Sequence, residues 1–167
     1  MEEVRLLALG EEAKFIELKQ RALFEHPSQF LETKYKPAKT YVTAQITSGV
    51  VGTTKNVVLN IDGGLHGMLQ INIGTGKLRH QAVLKTIFVI QNPKTEHRNF
   101  SARLIEFATT YTFKRGVEEI QIAVPKGHRL EHTLQSLGYS IKFEESKALK
   151  LYDDSYADIA TWHKING

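Results

Sequence analysis

The stretch from residue 82 to 125 limits the possible folds more than any other part of the chain. Residues 82–90 (AVLKTIFVI) form the most apolar run, and Asn92-Pro93 breaks it. A run this apolar predicts a central strand covered on both faces. Residues 99–115 follow with Phe100, Leu104, Phe107 and Tyr111 at i, i+4, i+7 and i+11, the spacing of one helix face. Lys114 and Arg115 fall in the last turn, where the helix dipole favours cations, and Gly116 stands where a C-cap is expected. Residues 120–124 are rich in β-branched side chains and end at Pro125. Strand, helix and strand in this order predict a right-handed crossover between two parallel strands.

The flanking segments supply the rest of a mixed sheet. Residues 4–9 read as a first strand ended by Gly10, and Glu11-Glu12 open a helix with Phe15, Leu18 and Ala22 on one face and Ile16 and Leu23 beside it. His26-Pro27 should stop that helix, and a second, shorter helical region is expected within residues 28–47. Residues 57–61 and 67–73 are strand-like around Asp62-Gly63-Gly64, a hairpin turn signal. Gly74-Thr75-Gly76 marks another turn before the apolar run. Beyond the βαβ unit, Leu130, Leu134 and Leu137 define a short helix capped by Gly138, and residues 139–143, 147–151 and 159–165 have strand composition. The expected fold is α/β (α+β), a mostly antiparallel mixed sheet with a central βαβ unit and flanking helices, in a single domain over residues 1–167.

Composition narrows the function. The chain has 167 residues and no cysteine, which removes disulfides, thiolate nucleophiles and zinc–thiolate sites together. No apolar window is long enough for a membrane span, and the acidic start Met1-Glu2-Glu3 is unlike a signal peptide. A cytoplasmic location is the expectation. The net charge of +4 invites an anionic partner, yet the basic residues are scattered and no nucleic-acid module is visible. The seven histidines show no metal-ligand spacing, so no metal is expected.

The order of elements resembles the GCN5-related N-acetyltransferase (GNAT) superfamily. The resemblance rests on Ile87-Phe88-Val89 at the end of the apolar strand, Asn92-Pro93, a helix ending in Arg115-Gly116-Val117, the strand at 120–124 and the Leu137-Gly138-Tyr139 ending. It implies that acetyl-CoA is the cosubstrate and that its pyrophosphate meets the segment 96–102. The residues implied to hold it are Phe88, Val89, Ile90, His97, Arg98, Asn99, Phe100, Ser101 and Ala102. The acceptor would be a primary amine on a small molecule, amino acid, peptide N-terminus or lysine, attacking directly in a ternary complex. A homodimer is compatible with the resemblance.

The chain departs from the family pattern at several points. The phosphate loop should read Gln/Arg-x-x-Gly-x-Gly/Ala, but Glu96, Asn99 and Ser101 occupy its defining positions. Glycine would permit positive φ and close approach of phosphate to the backbone amides. Asn and Ser instead suit a helix cap, with Thr95, Asn99 or Ser101 as N-cap. Arg98, Lys94 and Arg103 can offset the acidic Glu96. Lys85 stands where a carboxylate base is frequent, and Leu134 where a proton-donating tyrosine is frequent. His80 and His128 remain as catalytic candidates, since imidazole titrates near neutral pH; His66 and His132 are weaker ones. These departures keep open a second reading, a binding or regulatory module of the same fold without efficient acyl transfer. A nucleic-acid-associated protein, supported by charge alone, is the third.

Overall fold

The computed structural model describes residues 1–25, 39–47, 54–151 and 153–167. The chain runs β1 (Glu2–Leu6), α1 (Glu12–Glu25), α2 (Lys39–Thr47), β2 (Thr54–Ile61), β3 (Gly64–Ile73), β4 (Gln81–Val89), α3 (Phe100–Lys114), β5 (Glu119–Pro125), α4 (Leu130–Ser136), β6 (Ser140–Lys150) and β7 (Tyr156–Ile165). The seven strands form one sheet in the order β1-β2-β3-β4-β5-β7-β6. Among the described residues only β4 and β5 pair in parallel. This is the mixed α/β architecture expected, with the apolar strand in the middle of the sheet. The stop expected at His26-Pro27 and the start of the second helical region lie outside the described residues.

Alternation along the strands assigns each face its helices. Val57, Leu59 and Ile61 of β2 join Leu69, Ile71, Leu104, Ile105 and Leu134 in one core, beneath α3 and α4. Val58 and Met68 point the other way and pack with Phe15, Leu18 and Ala22 of α1 and Val42 of α2. Burying each such Leu, Ile or Phe contributes about 1.5–3 kcal/mol, so the two cores hold the layers on both sides of the sheet.

β4 serves both cores through an irregularity the sequence did not reveal. Its pairing with β3 slips between Met68↔Phe88 and Gln70↔Lys85, and Thr86 takes a φ of 56°. This bulge reverses the alternation. Ala82 and Leu84 face α3 before it, Val89 faces α3 after it, and Phe88 and Ile90 turn towards α1. Gly67 fits the close approach there, because a Cβ would meet the Phe88 carbonyl at 3.0 Å.

Several sequence boundaries are corrected. β1 occupies residues 2–6 rather than 4–9, because pairing with Val57–Ile61 of β2 begins at Glu2. Residues 139–143 and 147–151 are one strand, β6, whose irregularity is absorbed by a register shift and by Lys147 at a φ of 52°. Nearly every residue of this edge strand is exposed, and its charged side chains suit an unpaired edge. β7 begins at Tyr156, not at residue 159.

Candidate functional site: a fork at the end of the parallel strands

β4 and β5 pair over four residues, from Gln81↔Glu119 to Leu84↔Ile122. Beyond that point β4 continues to Val89 and β5 to Pro125 without pairing to each other. The sheet therefore opens into a fork at the carboxyl ends of its two parallel strands, where α/β sheets place ligands.

The loop that closes the fork is held by Thr95, which is 2% exposed. Its hydroxyl donates to the Ile90 carbonyl and accepts from the Asn92 amide at 3.1 Å, while Thr95 N and Glu96 N donate to the Asn92 carbonyl at 3.0 and 2.8 Å. The Asn92 side chain accepts from Lys94 N at 2.9 Å. This tight loop delivers the chain to the start of α3. There the Asn99 side chain accepts from Ala102 N at 3.1 Å, so Asn99 is the N-cap.

The loop's conformation makes no demand for glycine at 99 and 101. Asn99 has a φ of −85° and Ser101 is already helical, so neither needs the left-handed region. The left-handed residue is His97, at a φ of 59°. The conformational freedom expected at position 99 is thus used two residues earlier.

A cavity of about 330 Å³ lies against this loop, lined on the β4–α3 side by Val89, Gln91, Thr95 and residues 97–101, and on the α4 side by Arg129, Leu130 and Thr133. Of the nine cofactor residues expected from sequence, Val89, His97, Arg98, Asn99, Phe100 and Ser101 line it. Phe88 and Ile90 are packed in the core beneath α1, and Ala102 contributes its amide to the Asn99 cap. The positive dipole end of the α3 start and the side chains of Arg98 and Arg129 make the cavity suited to an anion.

The neighbouring charges are arranged differently from the expectation. Glu96 does not line the cavity; its carboxylate lies 3.4 Å from His97 Nε2. Lys94 reaches Asp62 at 3.4 Å, and Arg98 and Arg103 both bind the Glu2 carboxylate. Arg129 is exposed and forms no ion pair among the described residues.

The candidate catalytic residues are scattered. His80 stands at the opposite end of β4, roughly 30 Å from Val89 at about 3.3 Å per residue. It lines a separate open cavity of about 790 Å³ with Gly76, Lys77, Arg79 and Glu118. His128 Nδ1 accepts from Leu130 N at 3.0 Å and so helps start α4. Burial is the main cause that lowers its pKa, with Arg129 adding to the effect. Lys85 lies opposite Gln70 in the β3–β4 register. Leu134 is fully buried in the α3-side core, whereas its neighbour Thr133 reaches the cavity. Tyr139 is also core: its hydroxyl meets Thr109 Oγ1 at 2.7 Å, and burial raises its pKa to about 12. No cluster of three metal-ligating side chains occurs among the described residues.

Sequence reasoning missed Gln91, Thr95, Arg129, Leu130 and Thr133 as lining residues. Arg129 had a readable signal, a basic turn immediately past the carboxyl end of a strand in a βαβ unit. Thr95 had none, because its role depends on the loop's own hydrogen bonds.

No family model matches the chain, and neither does any curated protein. Solved structures do. An acetyltransferase of the GNAT family from Streptococcus pneumoniae is 16% identical, with a TM-score of 0.78 and 99% of both chains covered. yncA, a putative acetyltransferase from Salmonella typhimurium solved with its cofactor acetyl-CoA, is 10% identical with a TM-score of 0.81, covering 100% of this chain and 95% of that one. The ribosomal-protein-S18-alanine N-acetyltransferase from Escherichia coli is 15% identical with a TM-score of 0.71, again over 100% and 95%. The chain has the GNAT fold.

Proposed function

We propose that this chain is an acetyl-CoA-dependent N-acetyltransferase acting on a primary amine. The observation that carries the reading is the joining of two features at one place. A fork where β4 and β5 part gives an extended thioester arm room between two strand ends, and a cavity at its mouth, lined by the α3 start and by Arg98 and Arg129, suits a pyrophosphate. Backbone N–H groups of β4 past Leu84 would hold the arm and the oxyanion formed when the amine attacks the thioester carbonyl. Collapse of that intermediate forms the amide and expels the coenzyme A thiolate, which takes up a proton. Thr133 is the α4 side chain that offers a hydroxyl to the cavity in place of the family's tyrosine.

A second reading, a ligand-binding module that no longer transfers acyl groups, is favoured by two observations. No carboxylate lines the cavity among the described residues, and Leu134 is sealed in the core. One experiment separates the two. Calorimetry with acetyl-CoA should show saturable binding that Ser101→Glu abolishes, since a carboxylate there repels the pyrophosphate. Thiol release with a panel of amines then decides between enzyme and module. No binding at millimolar acetyl-CoA would refute the enzyme reading.

A further inference from the structure

Glu2, the first residue of β1, is held by two arginines about a hundred residues further along the chain. Arg98 places both terminal guanidinium nitrogens on its two carboxylate oxygens, and Arg103 Nη1 donates to Oε1 at 2.8 Å. Both guanidiniums lie over the ring of buried Phe100, at 4.7 and 5.3 Å from its centroid, which fixes their planes. The Arg98 hydrogen bond is the largest of the effects that hold the Glu2 carboxyl below the usual carboxylate range.

Two guanidiniums stacked on an aromatic ring and converging on one doubly oxygenated anion also make a phosphate clamp, because carboxylate and phosphate accept the same bidentate fork. Arg98 belongs to both arrangements, since it grips Glu2 and lines the cavity at the α3 start. We infer that Glu2 is an internal stand-in for a ligand phosphate, and that Arg98 exchanges the Glu2 carboxylate for a coenzyme A phosphate when the cavity fills. Glu2 is thereby a positioning residue: it keeps Arg98 ordered at the mouth of the cavity and competes with the ligand for it. The inference rests on the coenzyme A reading above and adds to it a link between occupancy of the cavity and the hold on β1.

A carboxylate that competes for Arg98 must weaken ligand binding, and removing it must strengthen binding. Glu3 provides the control. It carries the same charge one residue away but pairs with Arg5 at 3.4 Å rather than with Arg98. Coenzyme A affinity is measured by calorimetry at low ionic strength for the native protein, Glu2→Gln, Glu3→Gln and Arg98→Gln. Glu2→Gln should tighten binding about fivefold, the scale of one ion pair. Glu3→Gln should stay within about twofold, as expected of a general charge effect, and Arg98→Gln should weaken binding. Equal changes for Glu2→Gln and Glu3→Gln, or weaker binding by Glu2→Gln, overturn the inference while leaving the coenzyme A reading intact. Binding by none of the four proteins refutes the coenzyme A reading itself. Should Glu2→Gln fail to fold, hydrogen exchange of the native protein gives the answer. Coenzyme A should speed exchange at the β1 start while slowing it across residues 92–99, and unchanged or slower exchange at β1 overturns the exchange of partners.

Discussion

Asn99→Ala tests whether helix capping and ligand binding draw on the same amide. The Asn99 side chain accepts from Ala102 N, at the edge of the cavity where an incoming phosphate would seek that donor. Removing an Asn cap typically costs about 1 kcal/mol. In a chain of this size that lowers the melting temperature by about 2–4 °C. If phosphate displaces the cap when it binds, the native protein loses the cap energy during binding and the variant does not. Affinity for coenzyme A should then improve by the same 1 kcal/mol or so, about fivefold. Alanine is tolerated at a φ of −85°, so backbone strain does not enter the comparison. Calorimetry and thermal melts on the same samples read both quantities. A melting temperature that falls while affinity stays constant would show that the phosphates never meet Ala102 N. An affinity that falls would show that the Asn99 side chain itself holds the ligand.

Other perturbations probe neighbouring parts of the argument. Arg129→Gln should weaken coenzyme A binding about three- to tenfold and flatten its salt dependence without shifting the melting temperature, because Arg129 has no internal ion pair among the described residues to lose. Leu134→Ala should cost about 2–5 kcal/mol through the cavity it leaves, while the folded fraction binds coenzyme A normally. His128, whose pKa is lowered in the fold from its ordinary value near 6.5, gives a stability that is full above that value and declines as the pH falls below it. Urea midpoints at pH 5 and 7 should differ less in His128→Asn, and an unchanged difference would remove His128 as the cause.

The sequence disclosed those parts of the fold in which local preference and tertiary demand agree. Asp62 and Gly63 both take positive φ in the β2–β3 turn, as Asp-Gly-Gly suggested, and α3 begins and ends within a residue of its reading. The bulge at Thr86 was hidden because nothing in a continuous apolar run marks where alternation reverses. The long β6 was split in two because Glu144, Glu145 and Ser146 interrupt its apolar pattern, although an exposed edge strand needs no such pattern. At the candidate site, the position of the loop before α3 was legible from the helix and the strand around it. Its internal economy was not: the left-handed turn at His97 and the Thr95 tie are local geometry that no residue pattern announces, and the diversion of Arg98 and Arg103 to Glu2 depends on contact between distant segments.

The fork between β4 and β5 also bears on how the molecule coheres. Four residue pairs join the backbone ladder of β1–β4 to that of β5–β7–β6, and beyond Leu84 the α3-side core spans the gap. A strand-like occupant would act as a missing rung, bridging two leaves that the chain leaves parted. At a hundred times its dissociation constant, such a ligand adds about 2.7 kcal/mol to stability, with added protection concentrated along the two facing strand ends. Filled by the proposed cosubstrate, the opening would make resistance to unfolding a property shared between the protein and its ligand.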